Sequence, residues 1–432
     1  MKEISSFLIA APFSGSGKTT VVLGLLQAFK NRGYHMQPFK CGPDYIDVKY
    51  HDLASGNRSV NLDLFLSSER HVKDIYTKYA FQNDISIVEG VMGLYDGYDG
   101  SKGSSAEIAK RLKIPVILVV NAKSTAYSVA PLLYGFKNFD KEVNIIGVIF
   151  NFVGSANHYD LLKQACNDIG IKSFGYLPKD KEIEIPSRHL GLSLEKEYMF
   201  GQFANKAASL IEKYVYLDDL LDATRTYIDK LVLPSSPLLP YQMKIAIALD
   251  DAFNFTYHAN IEYLKQRGEI SFFSPLKDSC LPETDFVYFP GGYPELFFEQ
   301  LSKNNKLHKS IRDYVDKGGR ILAECGGMMY LSSSITDKYG QEYPMVGIFP
   351  QRASMKDMKL NLGYRIFTYN GLTIKGHEFH YSQTDSNWDS VVQIYNAKNR
   401  PVDTKLLRYK NTIAGYTHWY WAEMDNLFDV FN

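Results

Sequence analysis

Apolar runs of strand length alternate with longer stretches of helical spacing along the first half of the chain. The run "SFLIAA" leads into "GKTTVVLGLLQAFKNRG", which reads as a helix ending at Gly33, a residue suited to a helix C-cap. "HMQPFK", "ISIVEG", "IPVILVV", "NIIGVIF" and "SFGYLP" follow, with helical material between them. This alternation predicts a parallel sheet with helices on both faces.

The pattern breaks at "LVLPSSPLLPYQM". Pro234, Pro237 and Pro240 disfavour both helix and central strand, so a linker is expected over 234–243. Strand–helix alternation then resumes with "KIAIALD", "FVYFPGG" and "RILAEC". The expected organisation is an N-terminal α/β domain over 1–233 and a C-terminal α/β domain over 244–432. A chain of 432 residues exceeds one ordinary core, which agrees with two domains.

Composition narrows the function classes. Lys plus Arg and Asp plus Glu number 48 each, so no general affinity for nucleic acid or anionic membranes is expected. The apolar stretches stay at strand length, too short for a membrane span or signal peptide. Cys41, Cys166, Cys280 and Cys325 are far apart and lack metal-type pairing, so a reducing cytoplasm is the expected compartment.

Two motifs carry chemistry. "APFSGSGKTT" follows an apolar strand and opens a helix, the context of a phosphate-binding loop. Ser14, Gly15, Ser16, Gly17, Lys18, Thr19 and Thr20 would form a nucleotide-phosphate cradle. The glycines admit phosphate oxygens close to the backbone, and the helix N-terminus adds positive potential. Lys18 would reach the outer phosphates, and the Thr19 hydroxyl would bind Mg²⁺. Pro12 stands where the usual pattern has Gly, and Ala11 where a longer loop variant has it. Glu89 ends a buried strand where a metal-facing carboxylate would sit. "CGPDYID" places Asp44, Tyr45 and Asp47 in a turn at a sheet edge. Asp44, Tyr45 and Asp47 are candidate substrate contacts and Asp44 a candidate Mg²⁺ ligand, the alternative being that Asp44 and Asp47 cap a helix.

The second motif is "GGRILAECGGMMYL", read as turn, strand, nucleophile, helix. Ala323 and Gly327 flank Cys325 two residues away on either side, the spacing of a sharp turn that projects a nucleophile. A helix dipole there would favour the thiolate, and the Gly326 N–H could bind an oxyanion. Gly291 and Gly292, after the strand "FVYF", could complete that hole. A base is needed, and His258, His308, His377, His380 and His418 are available in this half. Spacing alone does not choose among them.

Eight ordered blocks, "APFSGSGKTT", "FKCGPDYID", "NLDLF", "VEGVMGLYDG", "FPGGYPEL", "AECGGMMYL", "GHEFHYS" and "GYTHWYW", resemble the cobyrinate a,c-diamide synthases. They are also similar to the nickel-sirohydrochlorin and hydrogenobyrinate a,c-diamide synthases. The resemblance spans nearly the whole chain. It implies a dethiobiotin-synthetase-like P-loop domain joined to a class I glutamine amidotransferase domain. It implies Cys325 as nucleophile and His418 as its base. Ordinary relatives carry His-x-Glu, whereas Tyr420 stands two residues after His418 and Glu423 lies further on, so the third triad member is left open. The implied co-substrates are ATP and L-glutamine, with Mg²⁺ as cofactor and a cobyrinate-like tetrapyrrole as acceptor. Two acetate carboxylates would be amidated through acyl phosphates, with ammonia passing internally between sites.

The central metal of the tetrapyrrole is not specified by these motifs, and a homo-oligomer is left open. A different class is a nucleotide-switched partitioning or regulatory ATPase with an inactive glutaminase domain. Such switches carry an extra Lys near the start of the loop, and residues 11–14 are Ala-Pro-Phe-Ser.

Overall fold

A computed structural model describes residues 1–183, 194–231, 243–385 and 388–432. Side chains of 194–198 are not described. The chain divides into two compact units, Met1–Pro234 and Ser235–Asn432. The expected Pro-rich linker lies outside the described residues up to position 242.

In the first unit, strands β1 (Lys2–Ala10), β2 (Met36–Cys41), β3 (Val60–Leu62), β4 (Ile85–Glu89), β5 (Val116–Asn121), β6 (Ile145–Val153) and β7 (Lys172–Pro178) build one parallel sheet. Their order is β3-β2-β4-β1-β5-β6-β7, and β8 (Arg225–Ile228) pairs antiparallel with β1. The strands are buried on both faces, which explains their unbroken apolar runs. Helix α1 (Lys18–Asn31) buries Val21, Val22, Leu25, Leu26 and Phe29 in the core. Gly33 follows it with φ 85°, the left-handed conformation that a chain leaving a helix adopts. Helix α2 (Asp47–Ser55) follows β2.

Registry decides what meets at the carboxyl ends. Ile9 of β1 and Lys40 of β2 both pair with Glu89 of β4. The loop after β1, the end of β2 and the end of β4 therefore share one edge of the sheet. Ligands bind at this edge in open α/β folds.

In the second unit, β9 (Met243–Ala248), β10 (Gly268–Phe273), β11 (Phe286–Phe289) and β12 (Arg320–Glu324) run parallel in the order β10-β9-β11-β12. Strand Thr412–Gly415 continues the sheet beside β12, with Glu324 opposite Gly415. A second sheet contains the hairpin Asn361–Tyr369 and Leu372–His380. Its last strand, His418–Trp419, pairs with Leu372–His380 so that His418 lies opposite His377. The chain from 415 to 418 thus passes from the main sheet to the second one, beside the end of β12. Both units have the α/β class that the alternation predicts.

Candidate active sites

The first site is a cleft of about 550 Å³ at the carboxyl ends of β1, β2 and β4. Ser14, Gly15, Gly17, Lys18, Thr19 and Thr20 line it, together with Lys40, Asp44, Asp47, Glu89, Asn151 and Phe152. Gly17 has φ 88°, and a Cβ there would lie 2.0 Å from Asn151 Nδ2. Only glycine fits this turn, for conformation and for space. The Ser16 hydroxyl donates to Phe13 O at 2.8 Å, and the Asn151 amide donates to Ser16 O at 3.1 Å, so the loop is tied from both sides. Ser16 is buried and does not line the cleft. Lys18 Nζ donates to Met92 O at 2.6 Å.

Glu89 is the centre of a buried charged network. The Thr19 hydroxyl donates to Glu89 Oε1 at 2.6 Å, and Lys40 Nζ lies 3.0 Å from the same oxygen. His51 Nε2 lies 2.6 Å from Oε2, while its Nδ1 lies 3.0 Å from Ser59 Oγ. Lys40 also pairs with Asp47 at 2.7 Å. Burial alone would raise Glu89. The ammonium of Lys40 and the hydrogen bonds from His51 and Thr19 outweigh it and hold the carboxyl well below its usual range. Burial would also discharge Lys40, but Glu89, Asp47 and Asp44 keep it charged.

Asp44 has a turn role. Its Oδ1 accepts from Ile46 N and Asp47 N, both at 2.8 Å, and so sets the entry to α2. Burial and the neighbouring Asp47 raise its proton affinity. Tyr45, expected as a substrate contact, is carried by this turn into the interior. It is 7% exposed and does not line the cleft. Lys40 and His51 went unremarked at the sequence level. A lysine in a strand reads as solvated, and only the β2–β4 pairing brings it to Glu89.

The donor set suits Mg²⁺. Thr19 and Glu89 present hard oxygens side by side, and Mg²⁺ characteristically takes few protein ligands, with phosphates and water completing its shell. Among the described residues, no group of three or more His, Cys, Asp or Glu could cage a metal ion.

The second site is built around Cys325, between β12 and the helix Gly326–Leu331. Its φ of 47° and ψ of −105° are strained for a non-glycine residue, as at a nucleophile turn. The Cys325 N–H donates to Gly415 O at 2.7 Å, which locks the turn to the next strand. Burial, then the nearby Glu295, pushes the Cys325 thiol up.

Gly291 and Gly292 lie between that turn and His418. A Cβ on Gly291 would sit 2.1 Å from His418 Cε1, and a Cβ on Gly326 would sit 3.1 Å from Gly292 N. The glycine pair therefore packs against the imidazole on one side and against Gly326 on the other. His418 is 1% exposed, and burial, with His377 and His380 nearby, pulls it down to about 3. Its Nδ1 lies 3.8 Å from Glu324 Oε2. Glu324 also accepts from Trp419 N at 2.9 Å and from the Tyr288 hydroxyl at 2.7 Å. Glu423 is exposed.

The "GHEFHYS" residues have other partners. Glu378 pairs with Arg365 at 2.8 Å and accepts from Thr417 at 2.8 Å. His380 stacks on Tyr416, with ring centroids 3.5 Å apart, and its Nδ1 contacts Ser382 O. His377 packs edge-on against Tyr364.

Comparison with known proteins places each half of the chain in a family. Residues 7–192 match the family model for the CobQ/CobB/MinD/ParA nucleotide binding domain. Residues 244–426 match that for the CobB/CobQ-like glutamine amidotransferase domain. The chain is 42% identical to a cobyrinate a,c-diamide synthase of Caldanaerobacter subterraneus subsp. tengcongensis, over 95% of this chain and 94% of the relative. Those of Listeria innocua and Picrophilus torridus are 39% and 41% identical, covering 96% and 97% of this chain and 96% of each relative. The chain belongs to the cobyrinate a,c-diamide synthase family, glutamine-hydrolysing ligases that form C–N bonds.

Proposed function

We propose that this protein amidates the a and c acetate carboxylates of cobyrinate in cobalamin synthesis, using ATP and glutamine. The observation that carries this reading is the presence of two unlike reaction centres on one chain. One is the phosphate loop beside Glu89, and the other is the Cys325 turn, whose neighbours Gly291 and Gly292 reach the imidazole of His418.

In the second unit, Cys325 attacks the glutamine side-chain carbonyl while His418 takes the thiol proton. A C–S bond forms, and the carbonyl oxygen carries the displaced electron pair toward the N–H groups of Gly292 and Gly326. The C–N bond then breaks, the proton passes to the departing nitrogen, and ammonia leaves. Water hydrolyses the thioester to glutamate and restores the thiol.

In the first unit, a carboxylate oxygen of the tetrapyrrole attacks the γ-phosphorus of ATP, giving an acyl phosphate and ADP. Ammonia adds to the acyl carbon and phosphate leaves, so each amide consumes one ATP and one glutamine. Lys18 offsets charge on the outer phosphates during transfer. Mg²⁺, held through Thr19 and Glu89, would neutralise the β- and γ-phosphate oxygens. Lys40 fixes Glu89, while Asp44 and Asp47 border the acyl acceptor. The four unpaired cysteines support a reducing, cytoplasmic setting.

The test is diamide formation from cobyrinate with Mg·ATP and either glutamine or ammonium, followed by mass spectrometry. Cys325→Ser is expected to lose the glutamine reaction and keep the ammonium reaction. Conversion of nickel-sirohydrochlorin or hydrogenobyrinate in place of cobyrinate would overturn the substrate assignment.

A further inference from the structure

Glu324 is the last residue of β12 and directly precedes the nucleophile. It is 1% exposed. A buried carboxylate is costly unless each oxygen is satisfied. Here Oε1 accepts from Trp419 N at 2.9 Å and Oε2 from the Tyr288 hydroxyl at 2.7 Å. Among the described residues, His418 is the one basic side chain within ion-pair distance, with Nδ1 at 3.8 Å from Oε2. Trp419 is the residue after His418. One carboxylate therefore grips the backbone of the base and faces its ring.

We propose that Glu324 is the positioning carboxylate of the glutaminase, supplied from the strand before the nucleophile instead of from two residues after the base. The assignment rests on the reading of Cys325 and His418 as the glutaminase pair. Glu324 directs the Nδ1 proton of His418 toward itself and leaves Nε2 free to accept the proton of Cys325. It then stabilises the imidazolium that this transfer forms. A separation of 3.8 Å is longer than a hydrogen bond, and such contacts tighten when substrate closes the site. Tyr420 occupies the position where His-x-Glu enzymes hold their carboxylate, and Glu423 is exposed. Glu378 is engaged by Arg365 and Thr417.

The groups facing this pair come from four elements. Tyr288 approaches from β11, with Tyr257 beside it. His377 and His380 approach His418 from the strand Leu372–His380 and its end, and Cys325 lies on the turn itself. Burial pushes Glu324 up to about 8, against the hydrogen bonds from Tyr288 and Trp419. The acid limb of glutamine hydrolysis then reports loss of the last proton from the Glu324–His418 pair.

Two variants move that limb in opposite directions. Glu324→Gln keeps the volume and the acceptor for Trp419 N but removes the charge. It also leaves His418 alone, which burial holds low. The expected result is a fall in kcat/KM for glutamine of roughly 10²-fold or more, with the acid limb displaced to lower pH. Tyr288→Phe removes a donor from Oε2, so Glu324 holds its proton more tightly. Its acid limb is expected to move to higher pH, with the alkaline plateau within a few-fold of wild type. Ammonium-dependent amidation, measured in the same preparations, stays at the wild-type rate in both.

A purely structural Glu324 would lower the plateau without moving either limb, and that result overturns the proposal. So does wild-type hydrolysis by Glu324→Gln. Failure of the underlying reading has a different signature, namely glutamine hydrolysis that survives Cys325→Ser. If Glu324→Gln does not fold, the upward shift in Tyr288→Phe decides the matter alone.

Discussion

Gly291→Ala adds one methyl group beside the imidazole of His418. The backbone at 291 lies outside the left-handed region, so alanine meets no conformational penalty and space alone is at issue. The new Cβ would lie 2.1 Å from Cε1 and 3.1 Å from each ring nitrogen. Carbon atoms in contact sit about 3.5 Å apart, so the ring or the loop must move by about 1.4 Å. Neither side yields easily. Gly291 O accepts from Asn254 N and Phe255 N, both at 3.0 Å. His418 is held by pairing with His377 and by the bond from Trp419 N to Glu324. Misplacing a catalytic group by about 1 Å costs on the order of 10²-fold. Glutamine hydrolysis, followed as glutamate release, is expected to fall by about that factor. Ammonium-dependent diamide formation is expected to be unchanged, because the phosphate cleft is lined by residues of the other unit. A folded variant that hydrolyses glutamine within about threefold of wild type would refute the placement of His418 in the reaction.

Lys18→Ala is expected to abolish amide synthesis from both glutamine and ammonium while the protein stays folded, and product formation from ammonium at the wild-type rate would remove Lys18 from phosphoryl transfer. The buried histidines of the second unit are expected to cost stability in mild acid, a loss partly offset by Glu295 and Glu324, raised to about 7 and about 8, which act in the opposite direction. Burial holds His308 and His380 at about 4 and His377 and His418 at about 3, against about 6.5 in the unfolded chain. These lowered values contribute stability that is full above about pH 6.5 and declines as pH falls toward the folded values. Each histidine costs about 1.4 kcal/mol per pH unit in that window. Thermal unfolding of the whole chain between pH 7 and 5 checks this, and His308→Phe should shallow the slope.

The phosphate loop was legible because its constraint is contiguous: two glycines, a lysine and a threonine at a strand–helix junction. Glu89 was legible for a related reason, since a carboxylate ending an apolar strand must face a sheet edge. Asp44 was legible only as a pair of alternatives, and the structure gives it the turn at the entry to α2. Lys40 was not legible. Its meaning depends on β2 lying next to β4, a pairing between segments about 50 residues apart that no local pattern encodes. The cysteine turn divides the same way. The small residues at 323 and 327 announced a sharp bend, whereas the burial of Cys325 and the approach of Glu295, which push the thiol up, depend on packing that no local pattern encodes.

Glu324 is the sharpest case of that division. It sits beside the nucleophile in the sequence, where a carboxylate has no evident partner. Its significance arises only when the chain returns about 90 residues later and lays His418 and Trp419 against the end of β12. The turn that strains Cys325 is locked to Gly415, and residues 415–418 then cross from the main sheet to the second one. The same crossing that ties the Cys325 backbone therefore delivers His418. Strand registry thus sets the distance between Glu324 and His418. A shift of one residue in that registry would turn His418 to the opposite face of its sheet, which is why the crossing is anchored by Trp419 N on Glu324 and by Thr417 on Glu378.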